Sequence, residues 1–110
     1  MSELMIVLCT CPDEETALRL SSGLVEAELV ACVNILPAVR SIYRWQGSIQ
    51  NDAELLLIAK TVASQFGNVE RWLAEHHPYD VPEVVGLPAG GVSGAYMHWV
   101  EDSVSQENRH

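Results

Sequence analysis

Three observations predict an α+β fold. Apolar runs of strand type (residues 4–9, 31–46, 49–61 and 83–88) are separated by stretches whose apolar residues recur at helical spacing, 14–29 and Ser64 to His77. A Gln46-Gly47-Ser48 turn joins the two central runs directly. A last helical stretch, Ala95 to Ser103, closes the pattern. Strand, helix, strand, strand, helix, strand is the split βαβ or ferredoxin-like order, here with an extra C-terminal helix. It implies an antiparallel sheet with two helices on one face and the other face in need of cover.

Leu4 to Cys9 is a continuous apolar run, as suits a central strand buried on both sides. Cys11-Pro12-Asp13 breaks it. Asp13 is placed to cap a helix, and Glu14 and Glu15 favour its positive start. Ala17, Leu20, Leu24, Ala27 and Ala31 recur at helical spacing with Leu18 and Val25 widening the stripe, which predicts a helix over 14–29 despite Gly23.

The run 31–46 reads as a long strand interrupted by Pro37, and a proline there predicts a bulge or bend. Beyond it Ser41, Tyr43 and Trp45 share one face. Ile49 to Thr61 runs back beside it. Two strands of this length, about 40 Å at ~3.3 Å per residue, exceed the sheet of a small domain. A partner subunit is the simplest cover for the excess. Ser64 is the expected cap of the second helix, whose face carries Phe66, Val69, Leu73 and His76 and which must end near His77 because of Pro78. Tyr96, Trp99 and Val100 line one side of the last helix.

The 110 residues leave room for one domain, 1–110, large enough to fold without metal or disulfide. Fifteen acidic against six basic residues, a net charge of -9, argue against nucleic-acid binding, which needs cations to displace phosphate counterions. No apolar run approaches the ~18 residues of a membrane span, and no signal-peptide pattern opens the chain. The odd count of three cysteines suits thiols kept reduced in a cytoplasm.

The densest chemistry lies in His76-His77-Pro78-Tyr79-Asp80-Val81-Pro82-Glu83. His76 and His77 are either helix-end imidazoles satisfying terminal carbonyls or metal ligands; side chains one apart on a helix diverge, so pairing them requires local unwinding. Cys9 and Cys11 point the same way from an extended strand and are either a ligand pair or, more plainly, a small buried hydrophobe and a turn residue. Thiolate with imidazole suits Cu(I) or Zn(II) rather than Mg or Ca. No hydrolase signature or phosphate loop is present, so no catalysis is expected. Cys32 reads as core. Lys60, the only lysine, is expected to pair with Asp52, Glu54 or Glu83, or else to meet an anion.

The chain resembles the CutA (divalent-cation-tolerance) family. The resemblance rests on Ala31-Cys32-Val33-Asn34-Ile35 with Pro37, Ser41-Ile42-Tyr43-Arg44-Trp45-Gln46-Gly47, Asp52, Glu54, Leu57, Lys60-Thr61, His77-Pro78-Tyr79, Pro82-Glu83, Pro88 and Tyr96-Met97-His98-Trp99. It implies a homotrimer of ferredoxin-like subunits joined by the long ribbon, a cytoplasmic location, a role in tolerance of divalent metals and Cu(II) binding, with Zn(II) or another divalent metal as substitute. By the same resemblance the metal ligands are Cys9, His76 and His77, with Cys11 as the second-choice thiol. The architecture is also similar to that of trimeric PII-type signalling proteins. That alternative has a small ligand or protein partner in an inter-subunit cleft, where Lys60, Tyr79, Glu83 and Trp99 would matter most.

Overall fold

The structure is a computed structural model that describes residues 3–105. Its order is β1 (Leu4–Cys11), α1 (Glu14–Glu26), β2 (Cys32–Trp45), β3 (Ser48–Val62), α2 (Phe66–His76), β4 (Val85–Pro88) and α3 (Gly94–Ser103). The strands form one antiparallel sheet in the order β2-β3-β1-β4. This is the ferredoxin-like arrangement that the sequence predicts. Among the described residues no helix is long and apolar enough to cross a membrane.

Register divides the sheet into two faces, because side chains alternate along each strand. Val7, paired with Ala59, and Cys9, paired with Leu57, lie on the face covered by α1 and α2. There they pack with Leu20, Leu24, Val69 and Leu73, all buried. Each large aliphatic side chain fully buried in this way contributes roughly 1.5–3 kcal/mol. The row Cys32, Lys60, Ile6, Leu87 and the row Asn34, Ile58, Leu8, Val85 lie on the opposite face. Only one end of that face is roofed: α3 seats Val100 with Val104 against Leu4 and Val62. The sequence left this face wholly uncovered, so α3 is a partial lid that periodicity did not locate.

Asp13 caps α1 as expected, its Oδ1 accepting from the Thr16 amide at 2.8 Å. The helix stops at Glu26, three residues short of the expected end. Glu28 takes a positive φ of 58°, while the Leu29 amide donates to the Leu24 carbonyl and the Glu28 amide to that of Val25. This is a Schellman ending with glutamate where glycine is usual, so the ordinary stop signal is absent from the sequence. Leu18 and Val25, which the periodic pattern put in the buried stripe, are exposed. Gly23 has a packing reason: a Cβ there would stand 2.5 Å from the Trp72 ring, so its absence lets α1 and α2 approach.

Ser64 does not cap α2. It lies in a 3-10 turn, Ala63–Gln65, and no side chain bonds the start of the helix. Gln65 is instead buried and donates from Nε2 to the Ser105 carbonyl at 3.0 Å, which ties this turn to the end of α3.

The β2–β3 ribbon carries the bulge that Pro37 predicts, between Leu36 and Val39, with Ala38 at φ 62°. Gln46 and Gly47, at φ 50° and 82°, form the tight turn at its tip. Beyond the Cys11–Leu55 pair β3 loses β1 as a neighbour, and the ribbon continues as two strands alone. It makes the molecule 44 Å long in its greatest extent.

Candidate functional site

Pro78 ends α2 at a corner where the chain turns back over the end of β1. His77 is the hinge pin of that corner. Its Nε2 lies 2.8 Å from the Thr10 carbonyl, and its Nδ1 lies 3.1 Å from the Tyr79 amide. A carbonyl can only accept and an amide can only donate, so the ring is neutral with its proton on Nε2. Both nitrogens are thereby engaged, and only 8% of the residue is exposed.

His76 diverges from it, as helical geometry requires. Although its position aligns it with the apolar face of Phe66, Val69 and Leu73, the residue is exposed, with its ring stacked on Trp72 at 3.9 Å and its Nδ1 2.7 Å from the Trp72 carbonyl. Nε2 has no protein partner among the described residues.

Cys9 and Cys11 do share a face, but it is the helix-covered one, and both are buried and unoxidised; Cys11 is the last residue of β1, paired with Leu55, and not a turn residue. Burial, reinforced by the neighbouring Cys11, Glu83 and Glu54, pushes the Cys9 thiol up to about 12. Burial, then Asp13 and Glu54, pushes Cys11 up to about 11. Both are therefore thiols, not thiolates, at neutral pH, and a metal would have to displace their protons. Cys9, His76 and His77 do not converge, and among the described residues no group of three His, Cys, Asp or Glu side chains stands ready to hold a metal ion. In this arrangement the donor set suggested by the resemblance does not fit a copper centre.

The remaining candidates separate into two groups. Tyr79 donates to Glu54 Oε2 at 2.6 Å, and burial together with that bond pushes the phenol upward, keeping it a neutral donor. Tyr43 donates to Asp52 at 2.5 Å on the ribbon. A cavity of about 550 Å³ opens between the ribbon and the 79–83 turn, lined among others by Tyr43, Trp45, Glu54, Tyr79 and Glu83. Lys60 and Trp99 belong to the other end of the sheet. Lys60 donates to Asn34 rather than pairing with an acid. Cys32, half-buried, is 3.3 Å from the Tyr96 hydroxyl, and Tyr96 in turn packs against Trp99. Lys60 lies six residue steps along β3 from Glu54, about 20 Å in an extended strand. Within one chain they do not share a cleft.

Sequence reasoning named Tyr79 and Glu83 but not Tyr43, Trp45 and Glu54 as their companions. Alternation along the ribbon put Ser41, Tyr43 and Trp45 on one face; what it could not give was the turn that folds over them.

An open-faced ferredoxin-like sheet with a projecting ribbon, and acidic and aromatic side chains at its end, defines a small α+β protein whose distinctive chemistry sits beside its core. The chain belongs to the CutA1 divalent ion tolerance protein family, which matches residues 5–103. It is 44% identical over 98 residues to the divalent-cation tolerance protein CutA of Thermus thermophilus, covering 89% of this chain and 95% of that one. It is 36% identical to the CutA of Pectobacterium atrosepticum, covering 94% of each. It spans 54% of the longer chloroplastic CutA of Arabidopsis thaliana. Among solved structures, the Thermus protein superposes with a TM-score of 0.90 at 42% identity, covering 93% of this chain and 99% of that one. CutA1 from Oryza sativa does so at 0.92 and 38%, covering 94% and 95%.

Proposed function

We propose that this chain acts in tolerance of divalent metal ions as a non-catalytic homotrimer. Family membership over residues 5–103 supports the tolerance role. The observation that carries the assembly is the uncovered half of the sheet: Ile6, Leu8, Ile58, Val85 and Leu87 share a face that no helix of the chain seals beyond its α3 end. Contiguous apolar surface of this kind marks an association site. On the ribbon Ile42 and Ile49, 67% and 62% exposed, stand on the other side, that of Leu57, so the projecting ribbon offers apolar residues of its own beyond the reach of the helices. Sedimentation should give a mass near three times 12.1 kDa, and a monomer at micromolar concentration would overturn the proposal.

Copper, in this reading, meets His76 first, since its imidazole is exposed and keeps one nitrogen without a protein partner. His77 would join only after its bonds to Thr10 and Tyr79 open, and Cys9 only after it leaves the helix-covered core. In titrations with Cu(II), His76→Ala should weaken binding more than Cys9→Ala; equal affinity for His76→Ala and wild type would remove His76 from the site. Three free thiols support a reducing, cytoplasmic compartment. One relative is named chloroplastic and one solved structure periplasmic, so cell fractionation is the direct check.

A further inference from the structure

The cavity between the ribbon and the 79–83 turn has an electrostatic character that the tolerance role does not use. Glu54 lies on its wall and is only 7% exposed. Its bond from the side is a neutral phenol, Tyr79, which satisfies one oxygen without compensating the charge. No lysine, arginine or histidine lines the cavity, whereas Asp80 and Glu83 do. Among the described residues Glu54 has no ion-pair partner. A largely buried carboxylate held by a neutral donor, with Asp80 and Glu83 on the same cavity wall and no cation among the lining residues, favours a positive ligand over a neutral or negative one.

The walls suggest what that something is. Tyr43, Trp45 and Tyr79 surround the carboxylates, and aromatic faces attract organic cations. A bare divalent ion would need several oxygens converging on one point, and no such group of three acidic, histidine or cysteine side chains exists among the described residues. The volume of about 550 Å³ falls within the range of small-molecule sites. We propose that this cavity binds an organic cation, with an alkylammonium or alkylguanidinium head at Glu54 and Glu83 and its apolar stem against Tyr43, Trp45 and Tyr79. The site is independent of the metal reading, because it uses none of Cys9, His76 or His77.

The test is calorimetric titration of the assembled full-length protein with n-butylammonium and n-butylguanidinium, with n-butanol and Mg(II) as controls. Trp45 offers a second signal by fluorescence. Saturable binding of at least one cation is expected, with Glu54→Gln lowering affinity about tenfold or more, since a charge-assisted bond becomes a neutral one. Glutamine can still accept from Tyr79, so the fold should persist, as circular dichroism can verify. Glu83→Gln and Trp45→Leu, both at exposed positions, should each weaken binding as well. No binding of either cation, equal binding of n-butanol, displacement by Mg(II), or an unchanged affinity in all three variants would each overturn the proposal.

Discussion

The face of the sheet beneath α1 and α2 is closed by the chain itself, while most of the opposite face has no cover among the described residues. Consecutive residues of the same strand therefore serve different ends. Leu57 is buried between Cys9 and Ile35 and meets the helices, whereas Ile58, the next residue, is partly exposed between Leu8 and Asn34. The closed face answers to the stability of one chain, and in the proposed trimer the open face answers to association. Both are apolar, so hydrophobicity alone does not distinguish them; only the position of the helices does.

Substitutions on the two faces should separate these demands. The largest effect is expected for Leu57→Ala, which removes packing that the helices cannot refill. Urea unfolding should show a loss of about 2–5 kcal/mol. Ile58→Asp should leave the secondary structure of the subunit in place, by circular dichroism, yet shift sedimentation toward monomer. Unfolding of the isolated subunit instead would mean that the open face matters to the single chain as much as the closed one. Gly23→Ala is next: its methyl would meet Trp72 at contact far below van der Waals distance, so one helix must yield, at about 1–3 kcal/mol measured by the same unfolding curve.

The last comparison concerns protons rather than packing. Cys9 and Cys11 ionise near 12 and 11 in the fold, against about 8.5 for an unperturbed thiol. The unfolded chain therefore loses these protons first as pH rises. Their contribution is complete below about pH 8.5 and is lost as pH climbs towards 11–12. Stability from denaturation midpoints should fall over that window, and less so in Cys9→Ser. Flat stability from pH 8.5 to 11 would show that the closed face tolerates thiolates.

Much of this architecture was legible because periodicity and punctuation agreed. Asp13 capped α1, Pro37 forced its bulge and Pro78 stopped α2, since each acts through its own backbone neighbours. What escaped depended on contacts remote in sequence. Glu28 ends α1 in a left-handed conformation that glutamate does not announce. Ser64 yielded to a turn anchored by Gln65 from the far end of the chain. At the corner the same limit decided the chemistry. The divergence of His76 and His77 followed from helix geometry, but the Thr10 carbonyl that engages His77 belongs to another strand. Likewise, nothing in the local pattern brings Tyr79 onto Glu54.

Ser105 lies where three distant parts of the chain meet. Its amide donates to the Glu28 carbonyl at the end of α1, and its carbonyl accepts from Gln65 before α2. It works as a clasp whose two halves close on different helices. A protease cut just after Ser103 would spare every strand and all three helices, yet it would leave the buried Gln65 amide and the Glu28 carbonyl without their mates and free Val104 from its seat. One nick at the margin would thus loosen both helices of the closed face together.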